Sequence, residues 1–323
     1  MPVKNAGLYL EECLDSIINQ DYKDWQLIAI NDGSSDNSQD ILLKYAEKHA
    51  NIFLYPNQGQ GIIPALNLAF EKSDGNFITR MDADDKMTHD KLNLHYNNLK
   101  NNGKGYISVG LVQYFSTTEL GEGYKKYATW LNNLTLKENN FSEIYKECVI
   151  PSPNWMLHRK DLINCGSFKN NIYPEDYDLC FRMRNSGLKI KSVNAITHYW
   201  RDHDLRSSRT SDNYKDNRFL DLKLYHFLKT DFNTEKNLVL WGAGKKGKTI
   251  AKKLLNKNID FTWISNNAKK HGVNIYNQII QADKYLKKTQ QVQCIIPIAA
   301  KNTNEEIKNQ LLNLGIGDYY FFC

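Results

Sequence analysis

The stretch Phe77-Ile78-Thr79-Arg80-Met81-Asp82-Ala83-Asp84-Asp85 joins an apolar run to three carboxylates. Its first five residues predict a short buried strand. A second apolar run, Leu27–Ile30, leads in the same way into Asn31-Asp32-Gly33. In open α/β sheets, ligands bind beyond the carboxyl ends of the strands. Asp32 and Asp82 are therefore predicted to lie at the binding edge of a sheet.

Amphipathic helices alternate with these strands. Residues 8–20 and 38–49 each carry one apolar stripe at helical spacing, which predicts an α/β fold with a mostly parallel sheet. A chain of 323 residues also exceeds the usual length of one domain. The predicted organisation is a first domain over residues 1–210, a helical connector over 211–235 and a second α/β domain over 236–323.

Composition limits the class of protein. No apolar run is long enough to span a membrane, no secretory signal is evident, and the six cysteines form no C-x-x-C pair. We therefore expect a cytoplasmic protein without a zinc site. Residues 236–323 contain 14 lysines, no arginine and 5 acidic residues. Such a face is usually solvated, but it can also rest at the inner face of an anionic membrane. Stacking aromatics do not interleave with the lysines, so no nucleic-acid partner is expected.

The acidic turn at Asp82–Asp85 has two interpretations. Its carboxylates repel one another, and a bound cation would relieve that repulsion. Oxygen ligands suit Mg²⁺ or Mn²⁺, which can bridge to substrate phosphates and neutralise a diphosphate leaving group. The alternative is a plain acidic turn in which Asp85 caps the following helix.

Two further polar clusters can each be interpreted as a binding site or as a structural turn. Asp32 could bond to the polar edge of a ligand, or its segment could be a turn with a helix cap. Glu175-Asp176 opens an apolar helix, where a carboxylate facing a cleft could remove a proton from an attacking hydroxyl.

The order of these motifs resembles that of family 2 glycosyltransferases, inverting enzymes with the GT-A fold. The resemblance covers roughly residues 1–210. The matching segments are Pro2-Val3-Lys4-Asn5, Asn31-Asp32-Gly33-Ser34-Ser35-Asp36, Arg80-Met81-Asp82-Ala83-Asp84-Asp85, Glu175-Asp176-Tyr177-Asp178-Leu179 and Tyr199-Trp200-Arg201-Asp202-His203.

The resemblance implies a donor site for a nucleotide-sugar. Asp32 would contact the nucleobase, with Pro2 and Val3 lining the same pocket. Asp82 and Asp84 would hold Mn²⁺ or Mg²⁺ on the donor diphosphate.

It also implies the reacting groups. Asp176 would be the general base, and Glu175 would orient the acceptor or tune the base, although the two could exchange roles. His203 would bind the metal or phosphates unless it is purely structural. Arg80, Arg201 and Arg209 could offset phosphate charge. The family suggests hexosyl or N-acetylhexosaminyl transfer to a glycan or lipid-linked glycan acceptor, in surface polysaccharide or glycan assembly.

The chain departs from the family pattern at two places. Family members usually have a full apolar strand before Pro-Val, which leaves open that Met1 is an internal methionine, either of a truncated chain or of one with a misassigned start. Pro64-Ala65-Leu66-Asn67 stands where many relatives have Ala-Arg-Asn. Arg80 is the expected substitute for that arginine.

The C-terminal segment carries a different motif. Gly242-Ala243-Gly244-Lys245-Lys246-Gly247 follows a predicted strand and opens a helix, as in dinucleotide-binding folds. The acid that would hold a ribose is missing, since the next strand ends in Ser265-Asn266-Asn267. We therefore expect a Rossmann-like accessory domain for docking, homodimer formation or acceptor binding. The alternative function is an NAD-dependent oxidoreductase or epimerase centred on this turn.

Overall fold

The computed structural model describes residues 1–117, 119–204, 206 and 218–323, with only the backbone of Arg218 and Lys301. These residues form two compact units: residues 1–144 with 148–206, and residues 145–147 with 218–323. Residues 211–217 of the predicted connector lie outside the described residues, and Arg218–His226 form a helix. Among the helices described, none is both long and apolar enough to cross a membrane.

The first unit contains strands and helices in alternation over its first 72 residues, as predicted. Its strands are β1 (Pro2–Val3), β2 (Leu27–Asn31), β3 (Ile52–Pro56), β4 (Phe77–Thr79), β5 (Lys86–Met87), β6 (Tyr106–Phe115), β7 (Trp155–His158) and β8 (Lys189–Arg201). Its helices are α1 (Leu10–Ile18), α2 (Ser38–Lys48), α3 (Ile62–Lys72), α4 (Lys91–Asn102), α5 (Glu122–Leu136), α6 (Arg159–Asn164) and α7 (Glu175–Asn185), with a 3₁₀ turn at Asn140–Glu143.

Strands β1, β2 and β3 form a parallel sheet with β2 in the centre. The predicted stripe of α1 is confirmed, since Leu10, Cys13, Leu14 and Ile17 are all buried. Strand β1 has only two residues, and the Met1 ammonium group donates a hydrogen bond to the Ile28 carbonyl oxygen at 2.8 Å. The predicted strand upstream of Met1 stays a prediction.

The remaining strands of this unit correct the expectation of a mostly parallel sheet. They form a second sheet in the order β4-β7-β6-β8-β5, in which only β6 and β8 run parallel. Only six residues join β4 to β5. These two strands lie at opposite edges of the sheet, so the acidic turn between them crosses the ends of the central strands.

The second unit contains a five-stranded, all-parallel sheet, which confirms the predicted C-terminal α/β architecture. Trp241 and Trp263 are its largest fully buried side chains. The sheet consists of β9 (Asn237–Trp241), β10 (Thr262–Ser265), β13 (Gln281–Ala282), β14 (Val292–Ile296) and β15 (Tyr319–Phe321), in the order β13-β10-β9-β14-β15. The other elements are α8 (Arg218–His226) continued by a π turn (Phe227–Asp231), α9 (Lys245–Asn256), α10 (Lys301–Asn313), the hairpin β11 (Asn274–Ile275) and β12 (Gln278–Ile279), and 3₁₀ turns at Ala268–Lys270 and Asp283–Lys288.

Candidate functional site

Asp85 anchors the acidic turn to the sheet rather than capping a helix. Its side chain is fully buried, and its Oδ1 accepts a hydrogen bond from the Arg201 backbone N–H at 2.7 Å. The following helix, α4, begins only at Lys91, with Asp90 at its cap position. The helix-cap interpretation of Asp85 is therefore wrong. The carboxylate instead ties the turn to the end of β8.

Asp85 belongs to a buried chain of polar groups that includes His198 and Lys91. His198 Nε2 lies 3.0 Å from Asp85 Oδ2, and His198 Nδ1 lies 3.2 Å from Lys91 Nζ. Burial and the charge of Lys91 hold the pKa of His198 well below its usual value, while burial lowers the pKa of Lys91 to about 7. A neutral imidazole can donate at one nitrogen and accept at the other. His198 can thus link the lysine to the carboxylate.

Asp84 and His203 lie together on the open side of the turn. Asp84 Oδ2 is 2.8 Å from His203 Nε2, and the Tyr9 ring packs 4.7 Å from the imidazole. Although burial opposes it, the hydrogen bond from His203 and the charge of Arg206 hold the pKa of Asp84 below its usual value. The Asp84 side chain is 28% exposed, so it can still accept a ligand.

Arg80 connects two motifs that are 95 residues apart. Its Nε donates to Asp82 Oδ1 at 2.9 Å, and its Nη1 donates to Glu175 Oε1 at 2.9 Å. The Arg80 side chain is 7% exposed. The structure thereby brings the acidic turn and the start of α7 into one centre.

The other predicted arginines have different surroundings. Arg201 donates from Nε to the Asp84 carbonyl oxygen and from Nη2 to Glu12 Oε2, each at 2.7 Å. Arg209 lies outside the described residues. No signal in the sequence indicated Glu12, because it meets Arg201 across 189 positions.

Asp176 lies in the first turn of α7, which follows the cis Tyr173–Pro174 peptide bond. Asp176 Oδ1 accepts a hydrogen bond from the Tyr177 backbone N–H at 2.8 Å. Burial and the neighbouring Glu175 carboxylate raise the pKa of Asp176 to about 7, although Arg80 acts in the opposite direction. Glu175 is buried. Of the two acids, Asp176 is the more accessible and is poised to exchange a proton near neutral pH.

Asp32 lies at the end of β2, as predicted. Its carboxylate accepts hydrogen bonds from Asn57 Nδ2 at 2.5 Å and from the Gly61 backbone N–H at 3.0 Å, and Lys4 Nζ lies 3.3 Å away. The Val3 carbonyl oxygen accepts from the Asp32 N–H at 2.8 Å. Asn57 and Gly61 were missed because nothing in the sequence pairs them with Asp32.

The start of the chain lies beside Asp32. Pro2 and Val3 pair with Ile30 and Asn31 of β2. Pro2 is partly exposed, whereas the Val3 side chain is buried in the core. Val3 therefore presents its backbone, and only Pro2 presents a side chain to the surface.

The donor set fits a divalent cation only in part. Within the described ranges, no three His, Cys, Asp or Glu side chains form a ready metal cluster. Asp84 and His203 are in contact, while Asp82 is paired with Arg80. Mg²⁺ sites often use one or two carboxylates, with substrate phosphates filling the other positions. Asp84 and His203 can supply such a partial site, and Asp82 is close enough in sequence to join it.

Helix α7 contains a buried ion pair one turn after Glu175 and Asp176. Asp178 Oδ2 accepts from Arg182 Nε at 2.7 Å, and both side chains are under 10% exposed. Because Asp178→Ala leaves the guanidinium buried, we expect a loss of roughly 3–5 kcal/mol in the free energy of unfolding. Urea denaturation measures it. The exposed Lys44–Glu11 pair is the control: Glu11→Ala should cost less than about 1 kcal/mol, and equal losses would contradict this assignment.

The Gly-rich turn of the second unit is closely packed. A Cβ on Gly247 would lie 2.1 Å from the Gly242 carbonyl oxygen, so only glycine fits. Gly242 has a φ of 134°, which favours glycine. At the end of β10, Asn266 Oδ1 accepts a hydrogen bond from Trp241 Nε1, and no acid stands there. The turn thus joins a strand to a helix as predicted but lacks the acid that would hold the ribose of NAD, and the alternative of an NAD-dependent enzyme stays a prediction.

The family match lies mainly in the first unit of the chain. The family described as "Glycosyl transferase family 2" matches residues 1–166. The chain is 32% identical over 146 residues to "Glycosyltransferase GlyA" of Streptococcus pneumoniae, a match that covers 43% of this chain and only 20% of GlyA. No family match identifies the second unit.

Two solved structures share the fold. The chain of S. aureus TarS 1-349 in complex with UDP-GlcNAc superposes with a TM-score of 0.57 and 16% identity, covering 80% of this chain and 70% of that chain. A mannosyltransferase from Pyrobaculum calidifontis, in complex with GDP-Man and Mn²⁺, gives a TM-score of 0.53 and 17% identity, with 79% and 68% covered. The N-terminal region thus has a GT-A-like fold.

Proposed function

The chain belongs to glycosyl transferase family 2, and from that premise we propose that it moves a sugar from a nucleotide-diphosphate donor to a hydroxyl acceptor with inversion. One observation carries the proposal. The guanidinium group of Arg80 joins Asp82 to Glu175, so the acidic turn and the start of α7 form one centre. Such a transfer requires a carboxylate that binds the metal on one side of the reacting sugar and a carboxylate that accepts the proton on the other.

The donor would lie along the acidic turn. We place the nucleobase at Asp32 and Pro2, and the diphosphate at Asp84 and His203, with Asp82 as a further ligand to Mn²⁺ or Mg²⁺. When bound, the cation would neutralise the negative charge that develops on the diphosphate as it leaves. The solved structures of the same fold support a nucleotide-sugar donor, since one is in complex with UDP-GlcNAc and another with GDP-Man and Mn²⁺.

Asp176 would act as the general base. Its Oδ2 atom accepts the proton of the acceptor hydroxyl while the hydroxyl oxygen attacks the anomeric carbon. The bond from this carbon to the diphosphate oxygen breaks, and the nucleoside diphosphate leaves with the electron pair. A single displacement inverts the anomeric configuration. Glu175, held by Arg80, would orient the acceptor or tune the base.

The acceptor is proposed to be a hydroxyl of a glycan or lipid-linked glycan, in surface polysaccharide or glycan assembly. The second unit would dock the acceptor, a membrane surface or a second copy of the chain. Its lysine-rich composition supports an anionic partner.

Donor hydrolysis tests the proposal without knowledge of the acceptor, because water can replace the acceptor hydroxyl. The protein is incubated with Mn²⁺ and UDP-GlcNAc, GDP-mannose and other nucleotide-sugars, and released nucleoside diphosphate is measured by chromatography. Release from at least one donor, abolished by EDTA, is expected. Release from none of them would overturn the proposal.

The rate should depend on pH through Asp176. Its raised pKa of about 7 means that the carboxylate is largely protonated below neutrality and cannot accept a proton there. Nucleotide release should therefore fall about tenfold for each pH unit below that value and level off above it. The measurement is kcat/KM between pH 5 and 9 at saturating Mn²⁺. A flat profile down to pH 5 would show that Asp176 is not the base.

A further inference from the structure

We propose that Arg80 is a positioning residue that locks Glu175 and Asp82 in place and keeps Asp176 competent as a base. The inference rests on the proposed function, in which Asp176 receives the acceptor proton. It assigns to Arg80 a role different from the expected contact with a donor phosphate. Its Nε and Nη1 groups donate to carboxylates of the protein.

The geometry makes the guanidinium group a rigid spacer. Nε and Nη1 donate to carboxylates from two different elements, each at 2.9 Å. A planar guanidinium offers its donors in fixed directions, whereas a lysine ammonium on a flexible stem cannot reproduce both bonds at once. The Arg80 side chain is 7% exposed and the Glu175 side chain 1%. Arg80 therefore holds Glu175 Oε1 by a buried, charge-assisted hydrogen bond.

Arg80 also acts on Asp176 through charge. The groups that face Asp176 electrostatically are the carboxylates of Glu175 and Asp82, which disfavour its ionised form, and the guanidinium of Arg80, which favours it. Arg80 and Asp176 line the same small internal cavity, together with Ser152. Because the surroundings are buried, these charges are weakly screened. Removing the Arg80 cation should raise the pKa of Asp176 further, so that a smaller fraction of the carboxylate is ionised at neutral pH.

The test compares two substitutions with opposite expected signs. Arg80→Gln removes the cation, so the acidic limb of the pH profile for donor hydrolysis should move upward by about 1 pH unit or more. Hydrolysis at pH 7 should then fall about fivefold or more and recover at pH 9. Glu175→Gln removes a repelling charge, so the same limb should move downward. A residue that only stabilised the fold would lower the rate equally at every pH.

A second readout does not depend on activity. The protein is labelled with ¹³C at the aspartate carboxyl carbon, and the Asp176 signal is identified by its loss in Asp176→Asn. Its titration midpoint should rise in Arg80→Gln and fall in Glu175→Gln. If no donor is hydrolysed, the proposed function fails while this titration still decides the role of Arg80.

Two further variants complete the experiment. Arg159→Gln removes another arginine of the first unit, which donates to the Gly75 carbonyl oxygen and to Ser73 Oγ at 2.7 Å, and should leave the Asp176 midpoint unchanged. Arg80→Lys keeps the charge with one bond fewer. It should hold the midpoint near that of the natural protein while lowering kcat. If Arg80→Gln does not fold, the expected fall of the midpoint in Glu175→Gln tests the effect of charge on Asp176. An unchanged midpoint in both Arg80→Gln and Glu175→Gln would overturn the inference, as would a shift in Arg159→Gln of equal size.

Discussion

Replacing Asp176 with asparagine should lower the rate of sugar transfer or donor hydrolysis by a factor of about 10² to 10⁴, the usual contribution of a general base. Asparagine keeps the size of the side chain and its amide oxygen can still accept the Tyr177 N–H, but it cannot take up a proton. The donor contacts proposed at Asp32, Asp84 and His203 are untouched. The KM for the donor should therefore change little while kcat falls.

Initial rates of nucleotide release at pH 8 measure this effect. Asp40→Asn, an exposed acid in the first turn of α2, is the matched control and should keep the natural rate. A rate within about threefold of natural for Asp176→Asn would assign the base elsewhere. Glu175, the other acid of the motif, would then become the candidate.

Asp84→Ala should remove metal-dependent activity. The substitution deletes the carboxylate that contacts His203 on the open side of the turn. Charge neutralisation by a divalent cation is worth several kcal/mol, so the rate should fall by roughly a thousandfold. The affinity for Mn²⁺ in the presence of UDP should fall as well, as measured by the electron paramagnetic resonance signal of free Mn²⁺.

The neighbouring acid provides a contrast within the same turn. Asp85 is fully buried and bonded to Arg201 and His198. Asp85→Asn should therefore lower the temperature of unfolding, whereas Asp84→Ala should leave it nearly unchanged. If Asp84→Ala kept its response to Mn²⁺, or lost activity only by unfolding, the assignment of Asp84 would be wrong.

Much of the fold could be predicted from local patterns. The apolar runs before Asp32 and Asp82 predicted strands because burial demands short continuous runs of this kind. Helix α1 was equally readable from the spacing of Leu10, Cys13, Leu14 and Ile17. The second sheet was not readable, because antiparallel pairing of β4, β6 and β7 depends on partners that are distant in sequence.

Some contacts of the candidate site could be predicted from the sequence and others could not. The motif order placed Asp84 next to His203, which the structure shows in contact at 2.8 Å. It did not place Arg80 between Asp82 and Glu175, because such a contact depends on how two distant elements meet. The alternative for Asp85 failed for a similar reason. A local rule favours a helix cap, whereas the tertiary contacts with Arg201 and His198 decide the position.

The central claim is that Asp84 and Asp176 serve one reaction at one centre. Its most direct test is the rate of nucleotide release by the double variant Asp84→Ala, Asp176→Asn beside the two single variants. Residues that act as a unit show strongly non-additive losses. The double variant should be only slightly slower than the slower single variant. A double variant slower by the full product of the two single effects would contradict a shared centre.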